Sequence, residues 1–215
     1  MQQREPEASI REAQAAALAA LPFDDVDDFA AADRGFIGTL DDPKIRNGKG
    51  EVVWDASTYD FVEGDAPDSV NPSLWRQSKL VAKHGLFEVV PGLYQVRGLD
   101  LSVMSIIEGD TGVIVVDPLI SVETAAAAMA LYRAHRGDRP IHAVIHSHSH
   151  IDHFGGILGI VSQADVAAGT VQIVVPEGFL EHSVAENVYA GTAMARRAGY
   201  MYGAALERGP KGQVG

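Results

Sequence analysis

The 215-residue sequence contains no cysteine, which removes disulfide frameworks and thiolate metal sites together. Any transition-metal site must therefore be built from imidazole and carboxylate. Basic residues are scarce beside acidic ones, 17 against 29, giving a formal net charge of −12. Nucleic acid wants a basic face, so no nucleic-acid partner is expected. A small anionic substrate stays open, because bound cations invert the local potential. Apolar residues reach 47% of the chain, enough for a core, yet no uninterrupted run approaches the roughly 18 residues of a transmembrane segment. The start, Met1-Gln2-Gln3-Arg4-Glu5-Pro6, lacks the basic stretch and apolar run of a signal peptide. As written the chain is expected to be cytoplasmic; removal of a leader would make it periplasmic or secreted.

The pattern along the chain is α/β. Ser9 to Leu21 is Ala-rich and predicts a helix stopped by Pro22, and Asp24 to Phe29 begin a second, short amphipathic one that ends near Gly35. Residues 41–50 read as a connector, Val52-Val53-Trp54 as a short strand, and Pro67 to Pro72 as a loop. From Leu86 the runs become β-like: Tyr94 to Val96, Ser102 to Glu108 and Val113 to Val116, the last two joined by a Gly109-Asp110-Thr111-Gly112 hairpin turn. Ser121 caps a helix through Arg136, with Glu123 in its first turn and Gly137 just beyond. His142 to Ile145 is a buried strand. A short helix to Gln163, a strand at Val171 to Val175 and a helical stretch from Glu177 towards Glu207 complete an alternating layered fold.

The chemistry concentrates after that strand, in His148-Ser149-His150-Ile151-Asp152-His153. His148 and His150 are two apart and share one side of an extended segment, so both imidazoles can reach one ion. Asp152 and His153 come where the chain must turn, at Phe154-Gly155-Gly156, and could face a second ion. Neutral imidazole and carboxylate suit zinc and related divalent metals. Two such ions a few ångströms apart can activate water and neutralise an anionic transition state. A chance His-rich surface loop is the competing explanation; the buried strand before the run and the double glycine after it argue against that.

This run matches the HxHxDH signature of the metallo-β-lactamase superfamily, which includes β-lactamases, thioesterases, lactonases, nucleases and sulfatases. A narrower resemblance spans nearly the whole chain. Leu21-Pro22-Phe23, Asp33 to Ile37, Ile107 to Gly112, Asp117-Pro118-Leu119, His146 to Gly156 and Pro176 to Phe179 are similar to type III alkyl sulfatases, hydrolases of dodecyl sulfate. So are Glu186 to Gly191, Met194, Arg196-Arg197 and Tyr200 to Gly203.

The resemblance implies an αββα sandwich of which this chain carries an incomplete, N-terminal half. Residues 1–50 would form a helical extension and connector, and 51–215 the truncated hydrolase part. It implies two zinc ions, with His148 and His150 on one and Asp152 and His153 on the other, Asp152 serving catalysis. Asp117 resembles the superfamily's Asp that orients the ligand loop, or is otherwise a strand-end turn residue. His146 stands where relatives usually carry an aromatic residue and is expected behind the ligands. Asn187, Tyr189 and Arg196 are weak candidates for substrate contact; helix packing and a structural ion pair are the plainer roles. His84, His135, His142 and His182 are read as surface or structural. Val103 departs from the Asn common in relatives. The family also continues beyond Gly215 with further metal-binding glutamates and a histidine, so a fragment is expected, its parent a homodimer acting on a small alkyl sulfate. The alternatives are another superfamily hydrolase, cleaving a lactone, thioester or β-lactam, and an inactive truncated polypeptide that binds metal poorly.

Overall fold

A computed structural model describes residues 4–214; Met1 to Gln3, the start of the stretch compared with a signal peptide, lie outside them. Contacts gather the chain into two compact units. One draws on the residues up to Asp33, Ser57–Lys83 and the residues from Ala193 onward; the other holds Arg34–Ala56 and His84–Thr192. Neither coincides with the division at residue 50 drawn from the sequence.

The first unit carries α1 (Ala8–Ala20), α2 (Asp27–Asp33) and α3 (Pro72–Val81). The Pro67 to Pro72 stretch, expected as a loop, ends by starting this third helix. Pro72 occupies the first helical position, where a missing N–H costs nothing, and the Asn71 side chain accepts from Ser73 N at 2.9 Å. Trp75 on α3 is buried with Val62, Val70 and Val214 in a small core of its own.

The second unit holds a seven-stranded sheet in the order β1 (Phe36–Gly38), β4 (Gly85–Val90), β5 (Leu93–Arg97), β6 (Met104–Glu108), β7 (Val113–Val116), β8 (Ile141–Ile145) and β9 (Gln172–Val174). A separate ribbon pairs β2 (Lys44–Arg46) with β3 (Val52–Asp55). Neighbours from β1 to β7 are antiparallel, whereas β7, β8 and β9 run parallel. Parallel neighbours need a crossover, and α4 (Val122–Arg136) supplies the first. Its Ala125, Ala128, Met129 and Tyr132 bury Met104, Ile106, Val113, Val115 and Val144 from one sheet face, and Ile45 of the ribbon joins the same core. On the opposite face Ile107 pairs with Ile114, and both remain exposed, as does Val174.

Ser121 caps α4 and Gly137 closes it at φ 85°, as the sequence predicts, and the cap takes the form of a reciprocal box with Thr124. The helix expected to end at Gln163 instead begins there: α5 (Gln163–Ala167) is capped by Ser162, and Ile157–Gly159 forms only a 3₁₀ turn. The long helix expected from Glu177 is interrupted. It divides into α6 (Phe179–Val184), a π-helical turn at Ala185–Tyr189 and α7 (Gly191–Met201). Among the described residues no helix is long and apolar enough to cross a membrane.

Candidate metal centre

Asp117 leaves the end of β7 with φ 55°, and Leu119 has φ 66°. Left-handed backbone is uncommon outside glycine and marks a position held for a reason. Here it bends residues 117–121 into a shelf on which the histidine loop lies. A Cβ on Gly156 would stand 2.2 Å from Pro118 O, and one on Gly155 2.3 Å from Ile120 O. The double glycine therefore permits a backbone approach that no other residue allows.

The Asp117 carboxylate, nearly buried, then grips the loop at both ends. It accepts from Ser147 N at 2.7 Å, Ser147 Oγ at 2.6 Å and His153 Nδ1 at 2.9 Å. Counting protons fixes what the rings offer. The single hydroxyl proton of Ser147 goes to Asp117, so His148 Nδ1, 2.9 Å from that hydroxyl, must donate to it. The lone pair of His148 is thereby on Nε2, which faces His150 Nδ1 at 3.0 Å. Likewise, donation from His153 Nδ1 leaves Nε2 as the second nitrogen, 3.2 Å from Asp152 Oδ2. A ring lone pair against a carboxylate oxygen is stable only with positive charge between them.

The donors thus fit a metal ion in kind and in orientation, and the carboxylate behind His153 is the usual partner of a ligating imidazole. The His148 and His153 rings lie 4.0 Å apart, so the two donor pairs adjoin. Among the described residues no three His, Asp or Glu side chains form one group able to hold an ion. Each pair supplies two of the three or four protein donors that zinc takes.

Further residues hold the loop from behind. His146 is buried, stacked 5.6 Å from Phe179 and edge-on to Phe154, with Nδ1 3.2 Å from His153 O. Burial pushes its pKa down, opposed by the His153 carbonyl and the Asp117 charge, and its Nδ1–H donates to the backbone oxygen of His153 and steadies it. Ser102 Oγ donates to Asp152 O. Asp100, also buried, accepts from Ser102 N, Ile120 N and the Thr124 hydroxyl, tying that segment to the shelf and to the cap of α4. Burial raises the Asp100 pKa against these hydrogen bonds. Sequence reasoning gave Asp100 no role and read Ser102 as the start of a strand, which begins at Met104, so it missed what both residues do. It also assigned no role to Glu186, whose Oε2 stands 3.1 Å from Ser149 Oγ and 3.6 Å from His150 Nε2.

The three substrate candidates are placed differently from one another. Asn187 donates back to Ser183 O at 2.8 Å, along its own helical segment. Tyr189 is 85% exposed. Arg196 is exposed on α7 and belongs to the other unit.

The chain is similar to several known proteins. A linear primary-alkylsulfatase from Pseudomonas sp is 57% identical over 202 residues, which is 93% of this chain and 30% of the relative. An alkyl/aryl-sulfatase from Saccharomyces cerevisiae is 51% identical over 195 residues, covering 90% of this chain and 30% of its own length. The solved stereoselective inverting sec-alkylsulfatase from Pseudomonas sp. superposes with TM-score 0.91 at 51% identity, over 97% of this chain and 33% of that one. The chain spans about a third of the length of these relatives. Across residues 97–211, from β5 through the histidine loop to α7 and beyond, it matches the profile of a superfamily whose name implies a metal cofactor. By that match over more than half its length, the chain belongs to the metallo-beta-lactamase superfamily.

Proposed function

We propose that this chain is part of a dinuclear, zinc-dependent hydrolase of alkyl sulfate esters such as dodecyl sulfate, releasing sulfate and an alcohol. His148 and His150 would hold one ion, Asp152 and His153 the other. When bound, the ions would activate water and offset charge developing on the sulfate. The residues of the chain have separate tasks. Asp117 sets the tautomers of His153 and, through Ser147, of His148; His146 holds the His153 backbone; Ser102 holds that of Asp152. The closed shelf fixes the donors before substrate arrives, so little reorganisation is left for the reaction. The whole protein acting as a homodimer is part of the same reading and rests on the family resemblance.

The observation that carries the metal assignment is the facing of His153 Nε2 and Asp152 Oδ2 at 3.2 Å with Nδ1 already committed to Asp117. The substrate class is supported by alkylsulfatases at above 50% identity along at least nine-tenths of the chain. Sulfate release from dodecyl sulfate, measured with the chain extended to its relatives' length, with and without EDTA, tests both. Chelator-sensitive release is expected, faster than cleavage of a lactone or a β-lactam. Preference for either of those substrates would defeat the assignment.

A further inference from the structure

Asp117 backs His153, yet the loop's most exposed ligand candidate, His150, receives nothing from that carboxylate. Its support comes from the opposite side. The α6 helix gives way to the π-helical turn at Ala185–Tyr189, closed by Ala190 N donating to Ala185 O at 2.9 Å. A π-turn carries an extra residue and so re-aims the side chains beyond it relative to a continued α-helix. Such turns recur at functional sites. Here the turn carries Glu186, half-exposed, with its carboxylate hydrogen-bonded to Ser149 Oγ at 3.1 Å and at ion-pair distance, 3.6 Å, from His150 Nε2.

Which nitrogen Glu186 faces decides its role. His150 Nδ1 looks at His148 Nε2 across 3.0 Å, the side on which an ion would be shared. Glu186 lies by Nε2, on the far side of the ring, so it is placed behind the ligand rather than among the donors. A carboxylate in that position favours the proton on Nε2 and leaves Nδ1 bare. The Ser149 hydroxyl, between His148 and His150 in sequence, holds the carboxylate in range.

We propose that Glu186 is a positioning residue for His150, selecting the Nε2–H tautomer so that Nδ1 and His148 Nε2 present two lone pairs to one ion. This rests on the metal reading above, and the test separates the two. Long-range proton–nitrogen spectra of the metal-free chain, with ¹⁵N-labelled histidine, at a pH where the imidazoles are neutral, report the His150 tautomer directly. Glu186→Ala should lower its Nε2–H population, while Glu186→Gln, whose amide oxygen still accepts, should largely keep it. In the protein at its relatives' full length, competition with a chromophoric chelator should then show zinc held on the order of 10–100-fold less tightly by Glu186→Ala, the range typical for losing such a partner, with Glu186→Gln between. An unchanged backbone amide spectrum excludes a folding defect. If the His150 tautomer is the same in all three proteins, the positioning role is overturned. If the tautomer shifts but none of the full-length proteins takes up zinc, the metal reading fails and the positioning role stands.

Discussion

The tautomer of one imidazole decides whether a histidine is a ligand or a donor, and here the deciding proton sits on the neighbouring residue. Asp117 accepts three hydrogen bonds and distributes the ring protons of His148 and His153, so a substitution at a donor and one at an ordinary histidine should differ sharply. In the protein at its relatives' full length, Asp152→Ala is expected to reduce metal content and lower turnover by at least about 100-fold, since an open coordination position leaves charge uncompensated. His135→Ala should be nearly neutral. That ring is exposed in the last turn of α4, where a cation at a helix terminus contributes at most about 1 kcal/mol. Metal analysis paired with turnover checks this, and comparable losses in the two variants would contradict the ligand assignment.

At the scale of elements, the sheet is held to α4 by a polar clasp as well as by its core. Arg136, in the helix's last turn, donates from Nε and Nη2 to the Glu108 carboxylate at the end of β6, both at 3.0 Å, and Tyr132 adds a third bond at 2.8 Å. Arg136 holds the Glu108 pKa below the usual carboxylate value, against the opposing effect of burial. A depressed folded pKa means stability that is present above the unfolded value, near 4.3, and is lost as pH falls through the folded one. Glu108→Gln should therefore cost about 1–2 kcal/mol at pH 7, and the gap in urea midpoint should narrow as pH falls below about 4.3; a gap independent of pH would show that the ion pair is not its source. Elements like α4 were legible because capping and periodicity are local: Ser121, Glu123 and Gly137 declare both ends. The histidine loop was legible for the same reason, its donors lying within six residues. What the sequence hid depends on partners far along the chain. Pro72 reads as the end of a loop unless Asn71 is known to cap the helix it starts. The π-turn depends on a local shift of backbone hydrogen bonding by one residue, and Ser102 acquires meaning only where Asp152 O comes to meet it, 50 residues on.

For the molecule as a whole, the sheet has one face buried under α4 and one that leaves Ile107, Ile114 and Val174 in solvent. Apolar side chains left on a sheet face are normally covered by a partner or by more chain. The 215-residue chain by itself is expected to self-associate, and Ile114→Lys should shift its sedimentation towards monomer without lowering its helix content. It should also hold zinc weakly and release no sulfate, since the described donors come in twos rather than in a closed set. Two zinc ions retained through dialysis, with turnover, would refute this. The grip of Asp117 on Ser147 and His153 has a kinetic corollary. Because the loop is cinched as the domain folds, the entropy of closing it is spent before any ion arrives. Capture then need not wait on a loop rearrangement, so association should run at similar speed across loop variants and their differences should appear as residence times.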